Sequence, residues 1–453
     1  MSEWHRMTAL ELGRAIGAGQ ADPVAVAEHF LDRMARHDAD RAIYLAVTRD
    51  RALAEAGAAR QRARDGARLG LLDGVPMAWK DLFDSAGTAT TAGSKLLADR
   101  VPAQDAVLLA RATRAGMVCL GKTNMTEFAF SGLGINPSFG TPANPFDTHV
   151  ARCPGGSSSG SAVAVARGLA PAAMGSDTGG SVRIPAAWNG LVGLKTTAGD
   201  LPLDGTLPLS TTLDTAGPLT RDVADAAAIH AVLAARPAAD LGGATLKGAV
   251  LAVPTDYFLE PATPAVRAAF EAAVERLGRA GARIVRSPAP EATESVAFGT
   301  LVQIEADALW RAAIDRNPEV VFHMVNGRMK PGGQRLGAEY FNALRGLGEL
   351  AKRFARRLAA FDAMIAPTVA VPPPAIAPLL ADDDAYVKAN VLSLSNTSAG
   401  NRLKCAALTV PCGMAEGLPA GLMLMQRAGG EGQLLRLGAA AERVLEKPAL
   451  PFA

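Results

Sequence analysis

Two glycine–serine clusters, Gly155-Gly156-Ser157-Ser158-Ser159-Gly160 and Gly175-Ser176-Asp177-Thr178-Gly179-Gly180-Ser181, bracket the segment Ala162-Val163-Ala164-Val165-Ala166-Arg167-Gly168. That segment is built from small residues and is apolar nearly all round, so it reads as a helix with no face for water. It has to be buried on every side, close against its neighbours, and only a layered interior offers such a place. The chain has 453 residues, enough for a core of that size. The first cluster then falls at the helix N-terminus, where free N–H groups and partial positive charge collect.

The rest of the chain fits an α/β reading. Thr8-Ala9-Leu10-Glu11 is a capping box and Asp22-Pro23 a second helix start, which gives two helices over 8–36. Residues 50–65 mix Ala with Arg, Glu and Asp, as a helix with a solvated face does. Residues 107–115 and 221–235 read as helices, and Met117-Val118-Cys119-Leu120 as a buried strand. Ala249–Val253, a helix opened by Thr263-Pro264 and running to about residue 280, and Ala282–Val285 form a strand–helix–strand unit. Such a unit requires parallel pairing with a crossover helix. Helix signals dominate 297–360. Met364–Ala366, Ala406–Val410 and Leu422–Met425 read as strands, and residues 432–446 as a final helix. Val371-Pro372-Pro373-Pro374 and Asp382-Asp383-Asp384 read as loops. The expected architecture is one large domain, a central mixed β-sheet with helices on both faces. Within it, N-terminal helices occupy 1–65, a catalytic core 66–235 and a specificity and sheet-completing part 236–453.

Hydrophobic residues make up 49%, charged residues 20% and the net charge is +2, a soluble globular balance. Nucleic acid and anionic membrane therefore have no electrostatic claim as partners. No apolar run approaches the ~20 residues of a membrane span, and Met1–Arg6 lacks the apolar core of a secretory leader. The four cysteines, Cys119, Cys153, Cys405 and Cys412, form no Cys-x-x-Cys pair, which fits free thiols in a reducing cytoplasm. Cys153, beside the first cluster, reads as a small buried residue. No metal or cofactor site is expected.

Two motifs match the letters of a known pattern and not its physics. Gly116-Met117-Val118-Cys119-Leu120-Gly121-Lys122-Thr123 has phosphate-loop spacing. A phosphate loop needs a strand before the first glycine and a flexible loop after it, whereas here a helix precedes and a strand follows. Gly156-Ser157-Ser158-Ser159-Gly160 has the spacing of a nucleophile elbow with Ser158 as the serine. That mechanism needs a later histidine, and the later ones, His230 and His323, sit in ordinary helical or apolar surroundings.

Serine chemistry without histidine requires another base. Lys80 ends the apolar run Val75-Pro76-Met77-Ala78-Trp79. Burial there, beside Trp79, favours the neutral amine. A second serine can relay the proton where the lysine does not reach the nucleophile.

With Gly74–Asp81, the two clusters resemble the motifs of the amidase signature family. Gly121–Phe128, Arg183–Ala187, Gly190–Thr196 and Leu213–Pro218 extend the resemblance, which is densest over 74–220. It implies a Ser–cis-Ser–Lys triad with Lys80 as base, Ser157 as the bridging serine after a cis peptide bond, and Ser181 as nucleophile. It also implies an oxyanion hole from the N–H groups of Thr178, Gly179, Gly180 and Ser181. Ser158, Ser176, Asp177 and Arg183 match positions that brace the serines, and Ala129, Phe130 and Ser131 match an acyl pocket. Thr126, Glu127 and Phe128 are expected in packing. Departures from the family pattern are Ser159 for glycine, Trp79 for a small aliphatic, and Trp188-Asn189 for an aromatic–cysteine pair. Both tryptophans are expected in the core.

The implied activity is hydrolysis of a small amide-type C–N bond, in a carboxamide or in a carbamate, anilide or urea. The alternative inside the family is the glutaminase (A) subunit of a tRNA-dependent amidotransferase, which would bring partner subunits and a link to nucleic acid. The ending at Phe452-Ala453, without a further docking segment, favours the stand-alone enzyme, for which a homodimer is expected. A non-catalytic binding protein on the same fold is the remaining class. Residues 290–400 are expected to supply much of the pocket wall.

Overall fold

The computed structural model describes residues 3–452, so Met1, Ser2 and Ala453 lie outside it. Eleven strands form one sheet among the described residues. In chain order they are β1 (Tyr44–Val47), β2 (Pro76–Lys80), β3 (Val118–Thr123), β4 (Ala173–Ser176), β5 (Val192–Lys195), β6 (Ala216–Thr220), β7 (Val250–Pro254), β8 (Arg283–Ser287), β9 (Ala363–Pro367), β10 (Ala406–Ala415) and β11 (Leu418–Gln426). Their spatial order is β1-β3-β2-β4-β6-β5-β10-β11-β9-β7-β8. Pairing is parallel for β3-β2-β4 and for β9-β7-β8, and antiparallel through the middle, so the sheet is mixed as expected.

Helices bury both faces of the sheet. Leu408, Val410, Leu422 and Leu424 point into a core shared with Phe270, Leu277 and Leu434. Their neighbours Ala407, Met423 and Met425 point the other way, onto Leu350, Phe354 and Leu358. Strands buried on both faces lose the polar alternation of an open sheet and read as continuous apolar runs. That is why β10 and β11 are visible in the sequence.

The small-residue helix runs Ser159–Ala166, with every residue buried. Glycine permits its close approach: a Cβ at Gly160 would stand 2.4 Å from the Ile43 carbonyl oxygen. Thr8 and Glu11 form the expected capping box, and Thr263 caps Pro264–Arg279. The false phosphate loop follows a helix, Val107–Arg114, and most of it is strand β3. Lys122 from that strand is committed to Asp81, Nζ to Oδ1 at 2.9 Å.

Two expectations need correction. The final helix is Glu431–Glu442, shorter at its C-terminal end than 432–446. Asp382–Asp384 is not a solvated loop: the Asp382 carboxylate accepts from the N–H groups of Asp384 and Ala385 and starts a helix, Asp383–Arg402. That helix buries Asn390, Asn396, Thr397 and Asn401, so its inward face carries no apolar stripe to betray it. No helix among the described residues is long and apolar enough to cross a membrane.

Candidate active site

Strand β2 delivers Lys80 to the centre of the molecule, with the side chain fully buried. Lys80 Nζ lies 2.6 Å from Ser157 Oγ and 2.7 Å from Ser176 Oγ. Burial pushes its pKa down to about 7, against the pull of Asp214 and Asp177, which favour the ammonium. Ser176, expected only as a brace, touches the lysine directly.

Ser157 follows a cis peptide bond, Gly156–Ser157. Glycine is required on the approach, because a Cβ at Gly156 would meet the Gly134 nitrogen at 2.5 Å and one at Gly155 would meet Pro185 Cα at 2.7 Å. The turn is pinned by Gly156 N–H donating to the Gly132 carbonyl at 2.8 Å, and Thr126 N–H donating to the Ser157 carbonyl at 3.0 Å. Ser158 donates its N–H to the Ser181 carbonyl at 3.3 Å and its hydroxyl to the Ser176 carbonyl at 3.4 Å. It therefore sits between the two clusters as a strut. Ser181 opens onto a cavity, and its hydroxyl is not hydrogen-bonded to Ser157.

The loop carrying Ser181 is held from beneath by Asp177. Its carboxylate takes Arg183 Nε at 3.0 Å and Nη2 at 2.9 Å, Asn401 Nδ2 at 2.8 Å and Gly180 N–H at 2.9 Å. Burial alone would raise this carboxyl, but Arg183, with help from Lys195 and Asn401, outweighs it and holds the pKa at about 2. Arg183 thus acts through Asp177. The same bonds narrow the expected oxyanion donors. Gly180 N–H is taken by Asp177, whereas the N–H groups of Thr178, Gly179 and Ser181 have no acceptor among the described residues.

Several neighbours carry no mark of their role in the sequence. Asp214 accepts from Thr178 Oγ1 at 2.5 Å and from the N–H groups of Leu209 and Ser210, and burial pushes its pKa up to about 6. Thr397 Oγ1 donates to the Gly179 carbonyl at 2.7 Å. Asp214 lies inside a motif already quoted. Thr397 and Asn401 lie on helix 383–402, and nothing local marks them.

The cavity in front of Ser181 has a volume of about 800 Å³ and a mostly apolar lining. Ala129, Phe130 and Ser131 form one wall with Thr178 and Gly179, and residues of 296–303 and 387–402 form a second, which meets the first where Asn390 bonds Ser131. Trp79 and Trp188 stand outside it in the core: Trp79 packs edge-on to Phe83, and Trp188 Nε1 donates to the Val371 carbonyl at 3.0 Å. Glu127 accepts from Ser94 Oγ at 2.6 Å and Phe322 N–H at 2.7 Å, tying the loop behind the wall in place. Neither late histidine lines the cavity. His230 pairs with Asp200, and His323 with Asp383 on the surface. Cys153 is buried, and desolvation pushes its thiol far up, away from a thiolate.

Residues 25–435 match the family described as Amidase. The chain is 37% identical over 386 residues to a 2-amino-5-chloromuconic acid deaminase of Comamonas testosteroni, covering 84% of this chain and 83% of that protein. It is 34% identical over 488 residues to the A-type subunit of the Glutamyl-tRNA(Gln) amidotransferase of Chloroflexus aggregans, covering 98% of each. Among solved structures, the peptide amidase of Stenotrophomonas maltophilia superimposes with a TM-score of 0.82 at 30% identity, over 98% of each chain. With a family match spanning most of its length and relatives of this identity along almost all of it, the chain belongs to the amidase signature family, hydrolases that cleave carbon–nitrogen bonds in amides.

Proposed function

We propose that the chain is a stand-alone amidase that works through an acyl-enzyme on Ser181, with Ser157 as proton relay and Lys80 as base. The observation that carries this reading is the contact of fully buried Lys80 with Ser157 at 2.6 Å. An amine with a pKa of about 7 is substantially neutral near pH 7 and able to accept a proton there.

In the first half-reaction Lys80 takes the Ser157 proton while Ser157 takes the Ser181 proton. Ser181 Oγ forms a bond to the amide carbon, and the carbonyl oxygen becomes an oxyanion facing the N–H groups of Thr178, Gly179 and Ser181. One such donor is worth about 3 kcal/mol to the transition state. The relay runs back to the nitrogen, the C–N bond breaks, and the amine or ammonia leaves. Water repeats the sequence on the acyl-enzyme to release the acid. Because Ser181 is not yet bonded to Ser157, its hydroxyl turns to make that link as substrate binds, a tightening common in unliganded sites.

The likeness to the glutaminase component of an amidotransferase over 98% of both chains favours a second reading, in which the same chemistry releases ammonia from glutamine for a partner. Purified chain assayed alone against carboxamides, carbamates, anilides and ureas separates the two. Turnover without partners, with fluorophosphonate labelling of Ser181, supports the first. Silence alone, with glutaminase activity only in an assembled complex, overturns it.

A further inference from the structure

Loop 177–181 is held from three directions, and one of its holders also faces the base. Asp177 takes the Gly180 N–H, and Thr397 donates to the Gly179 carbonyl. Thr178 is fastened by its side chain, whose hydroxyl donates to Asp214 Oδ1 at 2.5 Å. The other carboxylate oxygen, Oδ2, accepts from Leu209 N–H at 2.8 Å and Ser210 N–H at 3.0 Å. Two backbone donors on one oxygen orient the carboxylate, so the Thr178 hydroxyl meets its acceptor in one place.

The segment that carries Asp214 is pinned on both sides. Thr215 and Asp177 exchange backbone hydrogen bonds at 2.8 and 3.1 Å, and Thr215 Oγ1 donates to the Asp177 carbonyl at 2.7 Å. On the far side Glu305, buried on helix Leu301–Ile314, accepts from the hydroxyls of Ser210, Thr212 and Tyr340. Bonds to an ionised acceptor are roughly twice as strong as neutral ones.

Asp214 also faces Lys80. With Thr178 and Ser176, the serine 2.7 Å from Lys80 Nζ, it lines a small chamber of about 10 Å³ that adjoins the main cavity. Both hydrogen bonds of Lys80 go to serine hydroxyls. The carboxylates that act on it through space are Asp214, with the stronger pull, and Asp177, which Arg183 pairs at 2.9 Å.

We propose that Asp214 is a positioning residue of the reaction, one carboxylate that fixes Thr178 in the oxyanion loop through its hydroxyl and favours the ammonium form of Lys80. This rests on the Ser181–Ser157–Lys80 reading and deepens it. The two effects act in the same step. When Ser181 attacks, the proton passes through Ser157 to Lys80 as the oxyanion forms. Asp214 then faces the new ammonium and holds in place the residue whose N–H faces the oxyanion.

The test follows labelling of Ser181 by a fluorophosphonate, whose phosphoryl oxygen takes the oxyanion's place whatever the natural amide. Two substitutions separate the bond from the charge. Thr178→Val keeps the shape and loses the hydroxyl, and should label about tenfold more slowly or worse; Thr178→Ser keeps the bond and should return to within about threefold of wild type. Asp214→Asn keeps an acceptor oxygen for Thr178 and loses the charge. Burial of Lys80 is then opposed by Asp177 alone, so the rising limb of rate against pH, near 7 in wild type, should move to lower pH by about half a unit or more. Arg183 and Lys195, the cations beside Asp177, are unchanged in that variant. A merely structural role would lower the melting temperature and leave the limb in place. A limb that does not move in folded Asp214→Asn, or wild-type labelling in Thr178→Val, overturns the proposal. Should Asp214→Asn fail to fold, the Thr178 pair decides: loss in valine with recovery in serine supports the role, and equal rates overturn it. Wild-type chain that is not labelled at Ser181 would instead overturn the serine mechanism itself, and this role with it.

Discussion

The two walls of the cavity are built on opposite plans. The wall carrying Ser181 rests on a layer around Ser157 crowded with glycines that admit other backbone at 2.5–2.8 Å from a would-be Cβ, and the polar groups of that layer are bonded to one another. The second wall, from 296–303 and 387–402, sets apolar residues among Gln303, Asn390 and Arg402, and its Val296 and Val391 are 54% and 60% exposed. A close-packed, hydrogen-bonded wall tolerates almost no change, because each substitution either clashes or orphans a buried polar group. A partly exposed apolar wall tolerates many. Chemistry is fixed on the first, and selectivity is free to vary on the second.

The largest effect expected from the rigid wall is at Ser181. Ser181→Ala should lower kcat by about 10⁴-fold or more, the scale seen when a nucleophile is removed. It should leave the thermal midpoint almost unmoved, because that hydroxyl makes no internal bond. Steady-state assays paired with calorimetric melting check both halves, and substantial residual turnover would move the nucleophile elsewhere. Next comes Lys80→Met, with an expected loss of about 10²–10⁴-fold, the usual weight of a general base. The wild-type rate should rise with pH through about 7 as Lys80 gives up its proton, then level off. In Lys80→Met that limb should vanish. A limb that persists would assign the titration to Asp214, the neighbouring carboxyl raised to about 6.

Third in size is a stability effect. Arg183→Met leaves the Asp177 carboxylate buried without its cation, which costs about 3–5 kcal/mol. The sign with pH is fixed by Asp177, whose folded pKa near 2 lies below the ordinary carboxylate value. Its contribution is complete above that ordinary value and is lost as pH falls toward 2. The gap between wild type and variant in denaturant midpoint should therefore narrow in acid. A gap that is small at neutral pH would mean that Asn401 and the backbone N–H groups suffice to hold the carboxylate.

The same contrast between walls decides what the sequence reveals. Lys80, Ser157 and Ser181 are legible because their chemistry needs glycine and serine at fixed local spacing, and the motifs keep that spacing within short stretches. Strands β10 and β11 are legible as unbroken apolar runs. The strands β4, β5 and β6 are four or five residues long and carry glycine or proline, so no periodicity marks them. The commitment of Gly180 N–H to Asp177 is invisible too, since a backbone donor looks the same whether it is free or taken. Arg328 and Asn390 come from two distant helices and meet Phe130 and Ser131 only through the fold. Helix 383–402 hides its role because it turns asparagine and threonine inward.

The smallest expected effect probes the permissive wall directly. Val391 lines the cavity at its exposed side, so shortening it to alanine removes little buried apolar surface. Surface changes of this kind usually stay within about 0.5 kcal/mol of stability. A substrate that lays an apolar chain against Val391 loses a comparable contact, worth about 1–2 kcal/mol at most and hence a few-fold to about tenfold in KM. Val391→Ala should therefore raise KM for the longest amides tested and leave the shortest unaffected, with kcat nearly constant, because the contact is made equally in ground and transition states. Should kcat fall together with the melting temperature, this wall would be coupled to the serine loop, through Thr397 on the same helix and its bond to the Gly179 carbonyl, and the division between a fixed and a free wall would not hold.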